Sequence, residues 1–264
     1  MLINLTGHKA IVTGSTAGIG RAIAEGLLAA GASVVINGRG HERVANALRE
    51  LKQTFPDATV AGVAADLATA EGAAAVFAQA PDADILVNNV GTAVPKPFLE
   101  LTDADWFRIF EINVMSGVRM TRYYLPGMVS RGWGRVVFIS SESAVNIPKE
   151  MIDYGMTKTA QLAISRGVAE AVSGTGVTVN SILPGPTRSE GLGTWMQAIS
   201  ESEGISQGEA EQQFLRENRP TTLIGRFATT EEVANLVVYV CSLQASATTG
   251  AALRVDGGVT RNVA

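Results

Sequence analysis

The sequence predicts a doubly wound α/β fold, a parallel sheet covered by helices on both faces. Two observations carry this. Short β-branched runs alternate along the whole chain with longer Ala-rich stretches of helical character. The short runs are continuously apolar rather than alternating, the signature of strands buried on both faces. Strands that alternate with helices form such a sheet.

Taken in order, the strands are KAIVTG (9–14), SVVING (33–38), TVAGVAA (59–65), DILVNN (84–89), GRVVFIS (134–140), GVTVNSIL (176–183) and GAALRVDG (250–257). Between the first two, GRAIAEGLLAAGA puts Ile23, Leu27 and Ala30 on one helical face and stops at Gly31. Residues 190–220 break the rhythm with amphipathic pieces built on Trp195, Met196, Ile199, Phe214 and Leu215. A long insertion beyond the end of a strand is expected to act as a lid over a pocket; two solvated helices packed on the domain are the alternative. No repeat or linker divides the chain, so residues 1–264 are expected to form one domain.

Bulk properties exclude several function classes. Hydrophobic residues make up 46% and charged residues 17%, a globular balance. The net charge of −4 offers nothing to a nucleic-acid backbone. No apolar run reaches the ~18 residues of a membrane span, and the amino terminus reads as a first strand rather than a signal peptide. The single cysteine, Cys241, sits in a stretch that reads as a buried helix, so a reducing, cytoplasmic location is expected. His8 and His41 are far apart and have no thiol neighbours, so no metal site is expected.

The stretch TGSTAGIG (13–20) joins the first strand to the first helix. Glycine permits a tight turn and lets a phosphate approach backbone N–H groups. The helix behind it offers unpaired N–H donors and a positive dipole end, which suits a pyrophosphate. Gly14, Gly18 and Gly20 are spaced G-x-x-x-G-x-G, not G-x-G-x-x-G, which points to a different dinucleotide-binding family.

Further motifs follow in a fixed order: NNVG (88–91), Asn113 in EINV, Ser141 in ISSES, YGMTK (154–158), PGPTRSEG (184–191) and TTGAALRVDGG near the carboxyl end. Ser141 precedes Tyr154 by 13 residues. In this order and spacing the chain resembles the short-chain dehydrogenase/reductase family over nearly its whole length, including the β-ketoacyl-carrier-protein-reductase-like branch. The resemblance implies a Rossmann-type three-layer sandwich around a seven-stranded parallel sheet. It implies an oxidoreductase that moves a hydride between a nicotinamide cofactor and a carbonyl or secondary alcohol.

It also implies roles for residues. Tyr154 is expected as general acid in reduction and general base in oxidation. On a helix, residues four apart share a face, so Lys158 would stand beside it, lowering the phenol pKa from about 10 and bonding the nicotinamide ribose. Ser141 would hydrogen-bond the carbonyl oxygen. Asn113 would hold a water linking Lys158 to solvent. The cofactor would be held by Gly14, Ser15, Thr16, Gly18, Ile19 and Gly20 of the turn, and by Asp66 and Leu67 at the adenine. Asn88, Gly91, Tyr154, Lys158, Pro184, Gly185, Thr187 and Ser189 complete the cofactor set. Asp66 could also cap the following helix.

At the end of the second strand an acid would select NAD(H). Gly38 stands there and Arg39 follows, a guanidinium suited to a 2′-phosphate. NADP(H) is therefore expected over NAD(H), although Ala17 occupies the turn position where many NADP-preferring members carry a second basic residue. An NAD-dependent dehydrogenase of the same family, and a cofactor-sensing protein without catalysis, are the alternatives.

Thr92, Val94, Val145, Ile147, Met151, Leu192, Trp195 and Met196 are expected to line the substrate pocket, which favours a hydrophobic ketone. Glu201, Glu203, Glu209 and Glu211 give the lid an acidic rim that disfavours an acidic carrier protein, with Arg131 and Arg135 weighing the other way. Arg188 is expected in a local ion pair. A homotetramer or homodimer is expected, with the stripe Val233, Leu236, Val237 and Val240 serving either that interface or the domain's own sheet.

Overall fold

The computed structural model describes residues 2–263. Seven strands form one sheet: β1 (Lys9–Val12), β2 (Ser33–Gly38), β3 (Val60–Ala64), β4 (Ile85–Asn88), β5 (Gly134–Ile139), β6 (Val177–Pro184) and β7 (Ala252–Val255). Their order is β3-β2-β1-β4-β5-β6-β7 and every pairing is parallel. The fold is the Rossmann-type three-layer sandwich that the sequence predicts.

Successive residues of a strand face opposite layers, and the two layers are separate cores. Ala10, Val12, Ile85, Val87, Val137 and Ile139 pack against α1 (Gly18–Ala29), α2 (His41–Thr54) and α9 (Thr230–Val240). Ile11, Leu86, Val136 and Phe138 face α3 (Ala70–Gln79), α5 (Ser116–Arg131) and α6 (Ile152–Ala171). Burial on both faces is why the strands read as unbroken apolar runs.

The stripe on α9 serves the first of these layers. Val233, Val237 and Val240 are fully buried in the domain's own core. Helix α9 comes so close to α1 that a Cβ on Gly26 would lie 2.9 Å from Val238. Cys241, at the end of α9, is buried, and burial pushes its thiol up to about 12. His8 is a packing residue, stacked on Trp133 with ring centroids 3.9 Å apart. No helix among the described residues is long and apolar enough to cross a membrane.

Residues 190–220 form two helices, α7 (Glu190–Glu203) and α8 (Gln207–Asn218). Each begins with a serine cap, Ser189 and Ser206. Met196, Phe214, Leu215 and Phe227 give them a small core of their own, apart from the two main layers. Phe214 packs edge-on between Trp195 and Phe227.

Strand order reverses between β1 and β4, which lie side by side with connections leaving in opposite directions. The crevice beyond the carboxyl ends of these strands is where an open α/β sheet receives ligands.

Candidate active site

The glycine turn is locked by its surroundings. Gly14 and Gly18 have φ of +59°, which a side chain would strain. Gly20 is needed for space, because a Cβ there would come 2.4 Å from both Gly14 O and Asn89 Nδ2. Asn89 Nδ2 donates to Thr13 O at 3.0 Å and to Gly14 O at 2.9 Å, tying the turn to the end of β4. On the other side, Asn37 Oδ1 accepts from Gly14 N at 3.3 Å while its Nδ2 donates to Val63 O and Ala65 O. The Ser15 hydroxyl is spent inside the turn, donating to Val12 O and accepting from Asn37 N. Its backbone N–H is spent as well, donating to Asn37 O at 2.8 Å, so Ser15 shapes the turn. The turn is a preformed cradle that added side chains would fill, and it fits a pyrophosphate.

At the end of β2, Thr16 explains Gly38: a Cβ on residue 38 would lie 2.6 Å from Thr16 Cγ2. Arg39 is exposed and makes no hydrogen bond or ion pair among the described residues. Asp66 does not cap α3; Thr69 does, accepting from Gly72 N at 3.0 Å. Asp66 Oδ1 instead accepts from Ala68 N at 3.1 Å, and the residue is exposed beyond the end of β3.

Asn88, counted with the cofactor set as a brace of the sheet, does not itself line the cleft. It is buried and its Nδ2 donates to Thr121 Oγ1 of α5 at 3.0 Å, so it braces sheet to helix. Its neighbour Asn89 faces the cleft.

A cavity of about 530 Å³ opens beyond β1, β4, β5 and β6. Ser141, Tyr154 and Lys158 line it together with Ile19, Gly91, Pro184, Gly185, Thr187 and Ser189. Ser141 leaves β5, with its Oγ accepting from Ser143 N at 3.1 Å. Tyr154 and Lys158 lie one turn apart at the start of α6. The Lys158 ammonium is 5.5 Å from the Tyr154 ring centroid, and it donates to Ile139 O at 2.9 Å and to Gln161 Oε1 at 3.3 Å.

Burial governs both groups. It pushes the Tyr154 phenol up to about 12, against a lowering influence from the Ser141 hydroxyl beside it. It pulls the Lys158 ammonium down to about 7. The expectation that Lys158 depresses the phenol is not met in this geometry, because the ammonium points to Ile139 O and Gln161. At neutral pH the phenol is protonated.

Asn113 sits on a π-helical turn, Glu111–Met115, between α4 (Asp103–Phe110) and α5. Its side chain is fully committed: Oδ1 accepts from Thr92 N at 2.8 Å, and Nδ2 donates to Thr92 O and to Thr157 Oγ1. Its backbone carbonyl accepts from Gln161 Nε2 at 2.6 Å. Gln161 thus bridges the Asn113 carbonyl and the Lys158 ammonium. Gln161 was missed in the sequence, although it lies three residues beyond Lys158 on the same helical face.

Residues 14–260 match a family model described as enoyl-(acyl carrier protein) reductase. The oxidoreductase YvaG of Bacillus subtilis is 48% identical over 263 residues, covering 100% of both chains. The chain belongs to the short-chain dehydrogenase/reductase family. As a member it is an NAD(P)-dependent oxidoreductase acting on CH–OH or carbonyl groups. It is also 34% identical to the 3-oxoacyl-[acyl-carrier-protein] reductase FabG of Aquifex aeolicus, over 98% of this chain and 100% of that one. The L-sorbose reductase of Gluconobacter frateurii, solved with NADPH and L-sorbose, superimposes with a TM-score of 0.93 at 36% identity over 100% of both chains.

The substrate end of this family member's cavity is less apolar than expected. Thr92, Met151, Leu192 and Trp195 line it. Val94, Val145 and Ile147 are about half exposed outside it, and Met196 is fully buried in the core of the α7–α8 pair. Glu142 and Arg219 line it instead. Arg188 forms its local ion pair with Glu211, at 2.9 Å. Arg131 and Arg135 belong to no rim of this cleft. Arg135 is buried at the start of β5 against Gly134 O, Gly176 O and Ser242 O, and Arg131 pairs with Asp84 just ahead of β4.

Proposed function

We propose that this protein is an NADP(H)-dependent ketone reductase in which Tyr154 is the proton donor, Ser141 the carbonyl-orienting donor, and Lys158 and Asn113 the supporting pair. The observation that carries this reading is the meeting of Ser141, Tyr154 and Lys158 in one cavity at the strand-order reversal, with the phenol held protonated.

The turn 14–20, Arg39, Asp66, Leu67, Gly91, Lys158, Pro184, Gly185, Thr187 and Ser189 would hold the dinucleotide, which when bound supplies the hydride. Ser141 Oγ donates to the substrate oxygen and stabilises the negative charge that grows there. Tyr154 gives its proton to the same oxygen. Lys158, held by Ile139 O and Gln161, would support the site from the cofactor side by bonding the nicotinamide ribose. Asn113 does not touch the reacting atoms; it fixes the loop after β4 through Thr92 and the start of α6 through Thr157.

Exposed and unpaired Arg39 supports NADP(H), as does the structural relative described with NADPH. The acidic lid, and the removal of Arg131 and Arg135 from the rim, support a free small molecule over a carrier protein. The free edge of β7 and the exposed Phe107 and Tyr123 of the α4–α5 face support a homo-oligomer, which solution mass measurement checks.

Initial rates of NADPH and NADH oxidation against a panel of ketones test the function. NADPH should be consumed faster, and consumption of neither would contradict the reading.

A further inference from the structure

Directly after Ser141, the Glu142 carboxylate is buried at the cavity wall. Its Oε1 accepts from Arg219 Nε at 2.7 Å and from Ser143 Oγ at 3.2 Å. Its Oε2 is buried and has no hydrogen-bond partner. Arg219, at the end of α8, lines the same cavity and is 5% exposed. Its Nη1 donates to Asn218 O at 2.8 Å and lies 3.8 Å from Glu150 Oε1. Its Nη2 makes no hydrogen bond among the described residues.

A hydrophobic ketone gives no reason for this arrangement. Burying an ion pair carries a desolvation penalty that its attraction barely offsets. Leaving one carboxylate oxygen unpaired adds to that cost. The pair lines the same cavity as Ser141 and Tyr154. It presents one acceptor, Glu142 Oε2, and one donor, Arg219 Nη2, which together match a hydroxyl group.

Charge narrows the class further. Glu142 and Glu150 flank a single guanidinium, so this wall is not short of negative charge. A substrate carboxylate would meet two carboxylates there; a neutral hydroxyl meets a matched acceptor and donor.

We propose that Glu142 and Arg219 form a hydroxyl-recognising subsite, and that the substrate is a neutral hydroxyketone or ketose with a hydroxyl close to the reacting carbonyl. This rests on the ketone-reductase reading above. The recognised hydroxyl is neither oxidised nor transferred; its hydrogen bonds complete the pair's own. Leu192 and Trp195, which line the same cavity, offer apolar surface to the substrate's C–H groups.

The test compares hydroxyacetone with butan-2-one, which differ by a hydroxyl in place of a methyl, as NADPH-dependent substrates. A site built to bond a hydroxyl rejects the analogue lacking it, so kcat/KM for hydroxyacetone should be at least ~100-fold higher. In Glu142→Gln and Glu142→Leu the ratio should fall at least ~10-fold toward unity. Equal or better turnover of butan-2-one by the wild-type protein would overturn the subsite and leave ketone reduction standing. So would an unchanged ratio in Glu142→Gln accompanied only by a lower Tm, which would make the pair a structural latch for α8. Should Glu142→Leu fail to fold, the wild-type ratio and Glu142→Gln still decide. No NADPH consumption with either ketone or any of the wider panel would overturn the function itself, and the subsite with it.

Discussion

On the cofactor side of the cleft, the site is made of backbone. Gly14, Gly18 and Gly20 occupy conformations or spaces closed to other residues, and Asn37 and Asn89 grip the turn from either side. On the substrate side, it is made of side chains. Glu142 leaves β5 and meets Arg219, 77 residues further along, at the end of the α7–α8 pair, which has its own small core. The first region is fixed by local geometry and tolerates almost no change. The second can be repacked, because its shape depends on which side chains happen to meet. One scaffold can therefore keep its cofactor chemistry while its substrate varies.

The sharpest way to break this contrast is Gly20→Val. The added side chain collides with Gly14 O and Asn89, so NADPH affinity should fall more than ~100-fold and Tm should drop, the overpacking costing about 1–3 kcal/mol. Fluorescence titration and thermal melts check both. A variant that still binds NADPH normally would show that the turn is not the cradle.

Arg39→Asp should come next. Losing charge-assisted bonds worth about 1.5–3 kcal/mol should swing the NADPH-to-NADH ratio of kcat/KM by about 10- to 100-fold toward NADH. A wild-type preference for NADH would remove the basis for this assignment.

Gln161→Leu probes the joint between the two regions. It strips Lys158 of an acceptor and leaves the Asn113 carbonyl unpaired, so kcat should fall about 10-fold. With that acceptor gone the ammonium is less favoured. The alkaline limb of the kcat profile should therefore move to lower pH. An unchanged profile would reduce Gln161 to a packing residue.

The smallest effect concerns stability. Burial lowers Lys158 from 10.5 to about 7. Between those values the folded chain binds fewer protons than the unfolded chain, so this site's contribution to stability rises with pH across that window. Below it both states are charged and the burial penalty stands in full. Urea unfolding of Lys158→Met should lack the rise that the wild-type protein shows.

What the sequence discloses follows the same contrast. The turn 13–20 and the Ser141–Tyr154–Lys158 spacing are each confined to short stretches, so the order of residues states them directly. The seven strands were legible because burial on both faces removes polar residues from them. Val145 and Ile147 misled because apolar residues near a strand end need not turn inward, and here they lie about half exposed. Glu142 and Arg219 could not be paired in advance, since nothing local links position 142 to position 219. Gln161 was closer to hand: a polar residue three positions after Lys158 shares its helical face, and that spacing alone would have singled it out.

The central claim is that Tyr154 delivers the proton to a ketone oxygen. Turnover of the Tyr154→Phe variant with NADPH and a ketone that the wild-type protein reduces tests it most directly. The account predicts a fall in kcat of at least about 10²- to 10⁴-fold, with NADPH binding and Tm retained. Turnover close to that of the wild-type protein would contradict it.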